Sequence, residues 1–336
     1  MRKVKSRLLA AAVTGVTTLA LTACGTVGSS SSGSAPEAKP ANEVTVGFAA
    51  RQMDAPYYVA MQSVAEQKSK DKGFKLLFQN ANGDPVTQIN QVQTMLSQGA
   101  DVIVVDAISP ETERAQLTQV ANQVPLLFVD TGIPDVGVTS IQSDNHEIGR
   151  LSGLLTAKRI GSGKTVQAGV LNGGPNDEIV GPARQSGFLE GLQQGGVTAQ
   201  VVASADGNYT QEEAVPATES MLAANPGIGL MLGLNDSMAL GALQVLRNQG
   251  NTKVLVAASA DGQKEALAEI AKGCTSQYVS TGLNSPNLAA EAAFDTAIGI
   301  ATGAQDPKTL PKSSNTRAEG IGCDNVSQFY DPKSIF

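Results

Sequence analysis

The chain has 336 residues, 41% hydrophobic and 16% charged, enough for two lobes with real cores and too apolar for a disordered chain. Its net charge is −7, and four of its 24 basic residues (Arg2, Lys3, Lys5, Arg7) crowd the N-terminus, so the rest is more acidic still and no nucleic-acid partner is expected. Tryptophan is absent and His146 is the single histidine, which argues against a histidine zinc site or a Ser-His-Asp triad; neither a metal nor a cofactor is expected.

Residues 1–23 read as a secretory leader: a basic start, an apolar core from Leu8 to Leu21, then small residues. The core is too short for a comfortable membrane span. Its end, Leu21-Thr22-Ala23-Cys24, resembles the bacterial lipobox, which implies cleavage before Cys24 and diacylglycerol on its sulfur. Residues 24–42, rich in Ser, Gly and Pro, cannot build a core and read as a flexible tether. The globular part is then expected from Glu43 onward, outside the cytoplasm and close to the cell membrane. In that oxidising compartment Cys274 and Cys323 are expected to form a disulfide.

From Glu43 strands and helices alternate. Strands are predicted over 44–49, 74–78, 102–105 and 126–129, with helices over 57–72, 88–98 and 111–122. Two of these strands end on a carboxylate, Asp106 and Asp130. A second cycle follows, with strands over 165–171, 198–203, 228–234 and 253–258 and helices over 182–194, 211–224 and 237–248. Continuous apolar strands between helices predict parallel sheets covered on both faces. Two doubly wound, Rossmann-like lobes follow, with strand C-termini facing each other across a cleft. Crossings between lobes are expected near 140–142, 282–284 and Pro311, a three-crossing hinge. Residues 43–141 with 284–311 then form one lobe, and 142–283 with 312–336 the other.

These residues carry a family resemblance. Ala55-Pro56-Tyr57-Tyr58, Phe128-Val129-Asp130-Thr131, Ser143-Asp144-Asn145, Asn235 through Ala242 and Ser259-Ala260-Asp261-Gly262 occur in the order found in type I periplasmic sugar-binding proteins. The chain resembles their ribose/galactose-binding class, in lipoprotein form, from about Glu43 onward. That resemblance implies a solute receptor that closes over a sugar or polyol and delivers it to the permease subunits of an ABC importer, acting as a monomer and not as an enzyme.

The physics asks for the same residues. Sugar hydroxyls both donate and accept, which suits carboxylates and amides; Asp130, Asn235 and Asp261 end strands and can point into the cleft. Tyr57, Tyr58 and Tyr209 fall in cleft-side loops and can cover C–H faces. Several positions depart from the ribose-binding pattern. Ala55 and Thr131 stand where Asn and Arg are expected, Arg184 follows two residues after Pro182 at the expected arginine, and Asn284 adjoins Leu283 at the expected glutamine. Arg51 and Asp54 are candidate substitutes. These losses argue against ribose itself.

Other signals weigh less. Gly161-Ser162-Gly163-Lys164-Thr165 lacks the first glycine of a phosphate loop and precedes a strand, so it reads as a turn. Asp177-Glu178, adjacent on a Gly/Pro-rich loop, need not converge as an acid/base pair. Asn235 is assigned to the ligand and Asp236 to the helix start, where its charge suits the dipole. The remaining alternatives are a receptor for a signalling furanoside, a hydrolase on the same fold, and a LacI-type regulator, which would need a helix-turn-helix where the leader and tether lie.

Overall fold

The computed structural model describes residues 38–336; the leader, Cys24 and most of the tether lie outside the described residues. The first lobe begins with β1 (Thr45–Ala50), α1 (Pro56–Lys72), β2 (Lys75–Asn80), α2 (Pro85–Ser97), β3 (Val102–Val105), α3 (Pro110–Ala121), β4 (Leu126–Val129) and β5 (Thr139–Gln142). These three helices, like the later one over Pro286–Ala301, each start on proline, whose fixed φ suits the first helical position and whose missing N–H costs nothing there. Asp84 and Ser109 cap α2 and α3 by accepting from the Thr87 and Thr112 amides.

The chain then crosses into the second lobe: α4 (Asn145–Ile160), β6 (Thr165–Asn172), α5 (Val180–Gln194), β7 (Thr198–Asp206), α6 (Gln211–Ala224), β8 (Leu230–Gly233), α7 (Asp236–Asn248), β9 (Leu255–Ala258), α8 (Lys264–Ile270) and β10 (Ser280–Gly282). It returns through α9 (Pro286–Ala301) and β11 (Ser313–Asn315), and β12 (Gly320–Gly322) comes back to pair antiparallel with β10.

Both main sheets are parallel. One runs β11-β5-β4-β3-β1-β2, the other β7-β6-β8-β9. In the first lobe Val46, Phe48, Val102, Val104, Leu127 and Val129 meet α1 and α9 on one face, while Ile103, Val105, Leu126 and Phe128 form a second cluster with Val92 and Leu117 on the other. Double coverage accounts for the unbroken apolar strands.

The third crossing comes later than the sequence predicts. Ser313–Asn315 still hydrogen-bonds along β5, so the segment stays in the first lobe until Thr316. Its polar residues pair by backbone at a sheet edge, which leaves no apolar pattern to read. Gly161 to Lys164 joins α4 to β6 as a turn.

The predicted cycle also omits α4, whose buried face is Ile148 with the small residues Gly149, Ser152, Gly153, Thr156 and Ala157, and so carries little apolar pattern. That composition serves a close approach to α5. A Cβ on Gly153 would lie 2.1 Å from the Phe188 carbonyl oxygen, and one on Gly149 would lie 2.4 Å from that of Arg184. Only glycine lets the two backbones touch there. The disulfide expected from the sequence joins Cys274, in the turn after α8, to Cys323 after β12, with Cα atoms 5.1 Å apart. Among the described residues, no helix is long and apolar enough to cross a membrane.

Candidate functional site

Strand C-termini of both lobes converge on one narrow space of about 10 Å³. The first lobe contributes Arg51 after β1, Asp130 after β4, and Tyr57 and Tyr58 from the first turn of α1. The second contributes Tyr209 after β7, Asn235 after β8, Asp261 after β9, and Val180 and Arg184 from α5. Asn284, on the second crossing, completes the wall. All of these side chains are buried, so the two lobes are closed on one another.

Nine of the ten sequence-predicted ligand residues thus stand together. Asp54 does not. Its carboxylate is exposed and accepts from Gln52 Nε2 at 2.8 Å, because the loop after β1 turns outward before α1 begins. Asp130 and Tyr209 sit at φ 61° and 62°, the left-handed region that side chains other than glycine seldom occupy. Such strain concentrates where a fold must aim particular groups.

A polar chain runs through the hinge. Tyr57 Oη donates to Asp130 Oδ1 at 2.7 Å and lies 3.2 Å from Asn284 Oδ1. Ser143, just past β5, donates to the same Asn284 oxygen at 2.6 Å and contacts Thr316 Oγ1 at 3.0 Å, so all three crossings meet here. Asn284 Nδ2 in turn donates to Asp261 Oδ1 at 3.2 Å. Arg184 stands 3.7 Å from that oxygen and donates to Asn145 Oδ1 at 2.8 Å and the Leu234 carbonyl at 3.2 Å. The glycine contact between α4 and α5 holds Asn145 against the arginine.

Burial pushes the Asp261 carboxyl above the ordinary range, and the nearby Arg184 charge partly restores it. Burial, reinforced by the Asp130 charge, raises Tyr57 so that it stays a neutral hydrogen-bond donor. Both arginines remain fully protonated despite burial, because acidic and phenolic groups surround them.

Asn235 and Asp236 divide their work differently from the expectation. Asn235 is the N-cap of α7, accepting from the Met238 amide at 3.0 Å while its Nδ2 donates to the Tyr209 carbonyl at 3.2 Å, and it still lines the space. Asp236 begins the helix as expected, yet it also accepts from the Gly262 and Gln263 amides at 2.7 Å and from Tyr278 Oη at 2.5 Å. It therefore braces the loop that carries Asp261.

Two residues escape the sequence reading. Asp106 ends β3 as Asp130 ends β4, and that parallel was the available signal. It is buried, neither oxygen has a hydrogen-bond partner of normal geometry, and burial with the Asp130 charge raises its carboxyl well above the usual range. Glu178 is the other. It does not pair with Asp177, which binds the Gly181 amide and Tyr209 Oη. It reaches across to the first lobe and accepts from Ser109 Oγ at 2.9 Å and the Glu111 amide at 3.2 Å, capping α3 from the opposite lobe. This contact requires the closed arrangement.

The wall offers two guanidinium groups against two carboxylates, with amide donors and acceptors and phenol rings. That set matches a small, neutral, many-hydroxyl molecule with apolar C–H faces better than an ion.

Comparison with known proteins gives the same picture. A family model described as a periplasmic binding protein domain matches residues 46–305. The ribose import binding protein of Bacillus subtilis is 29% identical over 284 residues, covering 81% of this chain and 88% of that protein. The xylitol-binding protein of Mycolicibacterium smegmatis is 26% identical over 326 residues, covering 92% and 84%. Among solved structures, an ABC transporter solute-binding protein from Mycobacterium smegmatis with bound glycerol superposes with a TM-score of 0.78 at 28% identity, covering 88% of this chain and 99% of that one. The myo-inositol-binding protein of Caulobacter, bound to myo-inositol, gives 0.76 at 25% identity, covering 87% and 97%.

Proposed function

The chain belongs to the periplasmic binding protein family, and from that premise we propose that it is an extracytoplasmic receptor that closes on a sugar or polyol and delivers it to an ABC importer. One observation carries the reading: a buried ring of hydrogen-bonding and aromatic side chains drawn from both lobes and the hinge. A ligand there favours closure because only the closed form lets Asp130 and Asn235 reach it from opposite sides. The relatives' names, for ribose, xylitol and myo-inositol, support the same ligand class. The ligand residues of the reading are Arg51, Tyr57, Tyr58, Asp130, Arg184, Tyr209, Asn235, Asp261 and Asn284, with Asp106 behind Arg51.

The lobes are 43–142 with 284–315 and 143–283 with the chain beyond Thr316. The protein works as a monomer, binds without turnover, and is held at the cell membrane by lipid on Cys24, a reading that rests on the lipobox and tether. Its partners are the permease subunits, which engage the closed form.

Thermal unfolding of the purified protein with D-ribose, D-xylose, L-arabinose, D-allose, xylitol and myo-inositol tests this. At a hundredfold excess over Kd a ligand stabilises by about 2.7 kcal/mol, so at least one of them is expected to raise Tm by about 5 °C or more and to be recovered unchanged. No shift with any of the six overturns the sugar reading; a hydrolysis product overturns binding without turnover.

A further inference from the structure

The chain beyond β12 ties the second lobe back to the first. Cys323 is anchored by the disulfide, Asn325 Oδ1 and Nδ2 bind the Gly322 amide and the Gly320 carbonyl, and Val326, Phe329 and Tyr330 pack on the core of the second lobe. Lys264 Nζ, from α8, donates to the Ser334 carbonyl at 2.6 Å and holds the strap on that lobe. Phe336 then leaves it. Its buried ring joins the first-lobe cluster of α1 and α9 and meets the Tyr57 ring edge to face, with centroids 5.7 Å apart at 80°.

Tyr57 is packed by rings on two sides, since Tyr58 also lies edge to face at 5.5 Å. Its hydroxyl is the atom that joins Asp130 of the first lobe to Asn284 of the hinge. Phe336 packs against the ring that carries this hydroxyl and so limits its rotation about the Cα–Cβ bond. The strap's origin adds a second consequence. Because the packing ring is delivered from the second lobe, Tyr57 is seated only when the lobes hold their closed relation.

We propose that Phe336 is a positioning residue for ligand binding: it seats Tyr57 in the site and links that seating to closure through a fourth connection between the lobes. The inference rests on the sugar-site reading above, in which Tyr57 touches the ligand.

A double-mutant cycle on affinity tests it, using whichever of the six sugars and polyols above binds the wild-type protein most tightly, with Kd from calorimetry and Tm recorded for each variant. Phe336→Ala is expected to weaken binding about three- to tenfold, the range an aromatic pair is worth. Phe336→Leu, which refills the space in part, is expected to recover most of it. In a Tyr57→Phe background, where no hydroxyl remains to be aimed, Phe336→Ala is expected to change Kd less than twofold. A purely structural role predicts otherwise: Tm falls while Kd stays at the wild-type value, or the two Kd effects multiply. Either result overturns the proposal while leaving the sugar site standing, provided Tyr57→Phe alone weakens binding. If none of the six binds the wild-type protein, the sugar reading fails and this inference falls with it.

Discussion

Arg184→Met is expected to cost about 3–5 kcal/mol of folding stability and to weaken ligand binding by about a hundredfold or more. Arg184 is buried where α5 meets the cleft, donates to Asn145 and the Leu234 carbonyl, and faces Asp261 at 3.7 Å. Its guanidinium also lies 5.8 Å from the centre of the Tyr209 ring. Methionine matches the stem but leaves the Asp261 carboxylate without its compensating charge. The sign of the pH effect follows. Burial already raises Asp261, and Arg184 is the main influence holding it down, so the variant's carboxyl rises further. A carboxyl raised on folding keeps its proton where the unfolded chain has lost one, and stability falls as pH climbs through that range. The gap between variant and wild type is therefore expected to be wide at pH 8 and narrower at pH 5, read by urea unfolding. Equal stability at both values would remove Arg184 from its place as the counter-charge of the site.

Replacing both Cys274 and Cys323 by serine is expected to lower stability by about 4 kcal/mol, from the entropy of closing a loop of that length in the unfolded chain. The bridge spans 49 positions and fastens β12 beside β10. That corresponds to a fall in Tm on the order of 10 °C. Thermal unfolding with and without a thiol reductant separates the bridge from ordinary packing loss. The wild-type protein is expected to lose stability in reductant and the double variant to be indifferent to it. A wild-type protein unaffected by reductant while its thiols titrate as free would contradict the stabilising role.

Most of the site is legible in sequence because an open parallel sheet leaves so little choice. Apolar runs mark the strands, and a polar residue within three positions of each strand end, Asp130, Asn235 or Asp261, falls where the sheet presents its ligand edge. Asp106 obeys the same rule. Asp54 shows where the rule stops: three residues past Arg51 the loop has turned to solvent. Arg184 is legible only by resemblance, since its placement depends on the close approach of α4, and most of the buried face of α4 is small residues, glycine, serine, threonine and alanine. Asn235 misleads in another way. One amide caps a helix with its oxygen, donates its nitrogen to the Tyr209 carbonyl and still lines the space, so a cap and a wall of the site are not alternatives. Glu178 and Phe336 are not legible at all. Each acts on the opposite lobe, and no local pattern records which lobe a loop or tail will meet.

The central claim is that one ligand is held by both lobes at once, and calorimetry on a pair of variants tests it most directly. Asp130→Ala removes an acceptor of the first lobe and Asp261→Ala one of the second. With the best-binding of the six sugars and polyols, each is expected to lose about 1–3 kcal/mol of binding free energy, roughly five- to 150-fold in Kd, while still unfolding cooperatively. Wild-type affinity in both variants, or a loss confined to one lobe, would contradict a ligand enclosed between them.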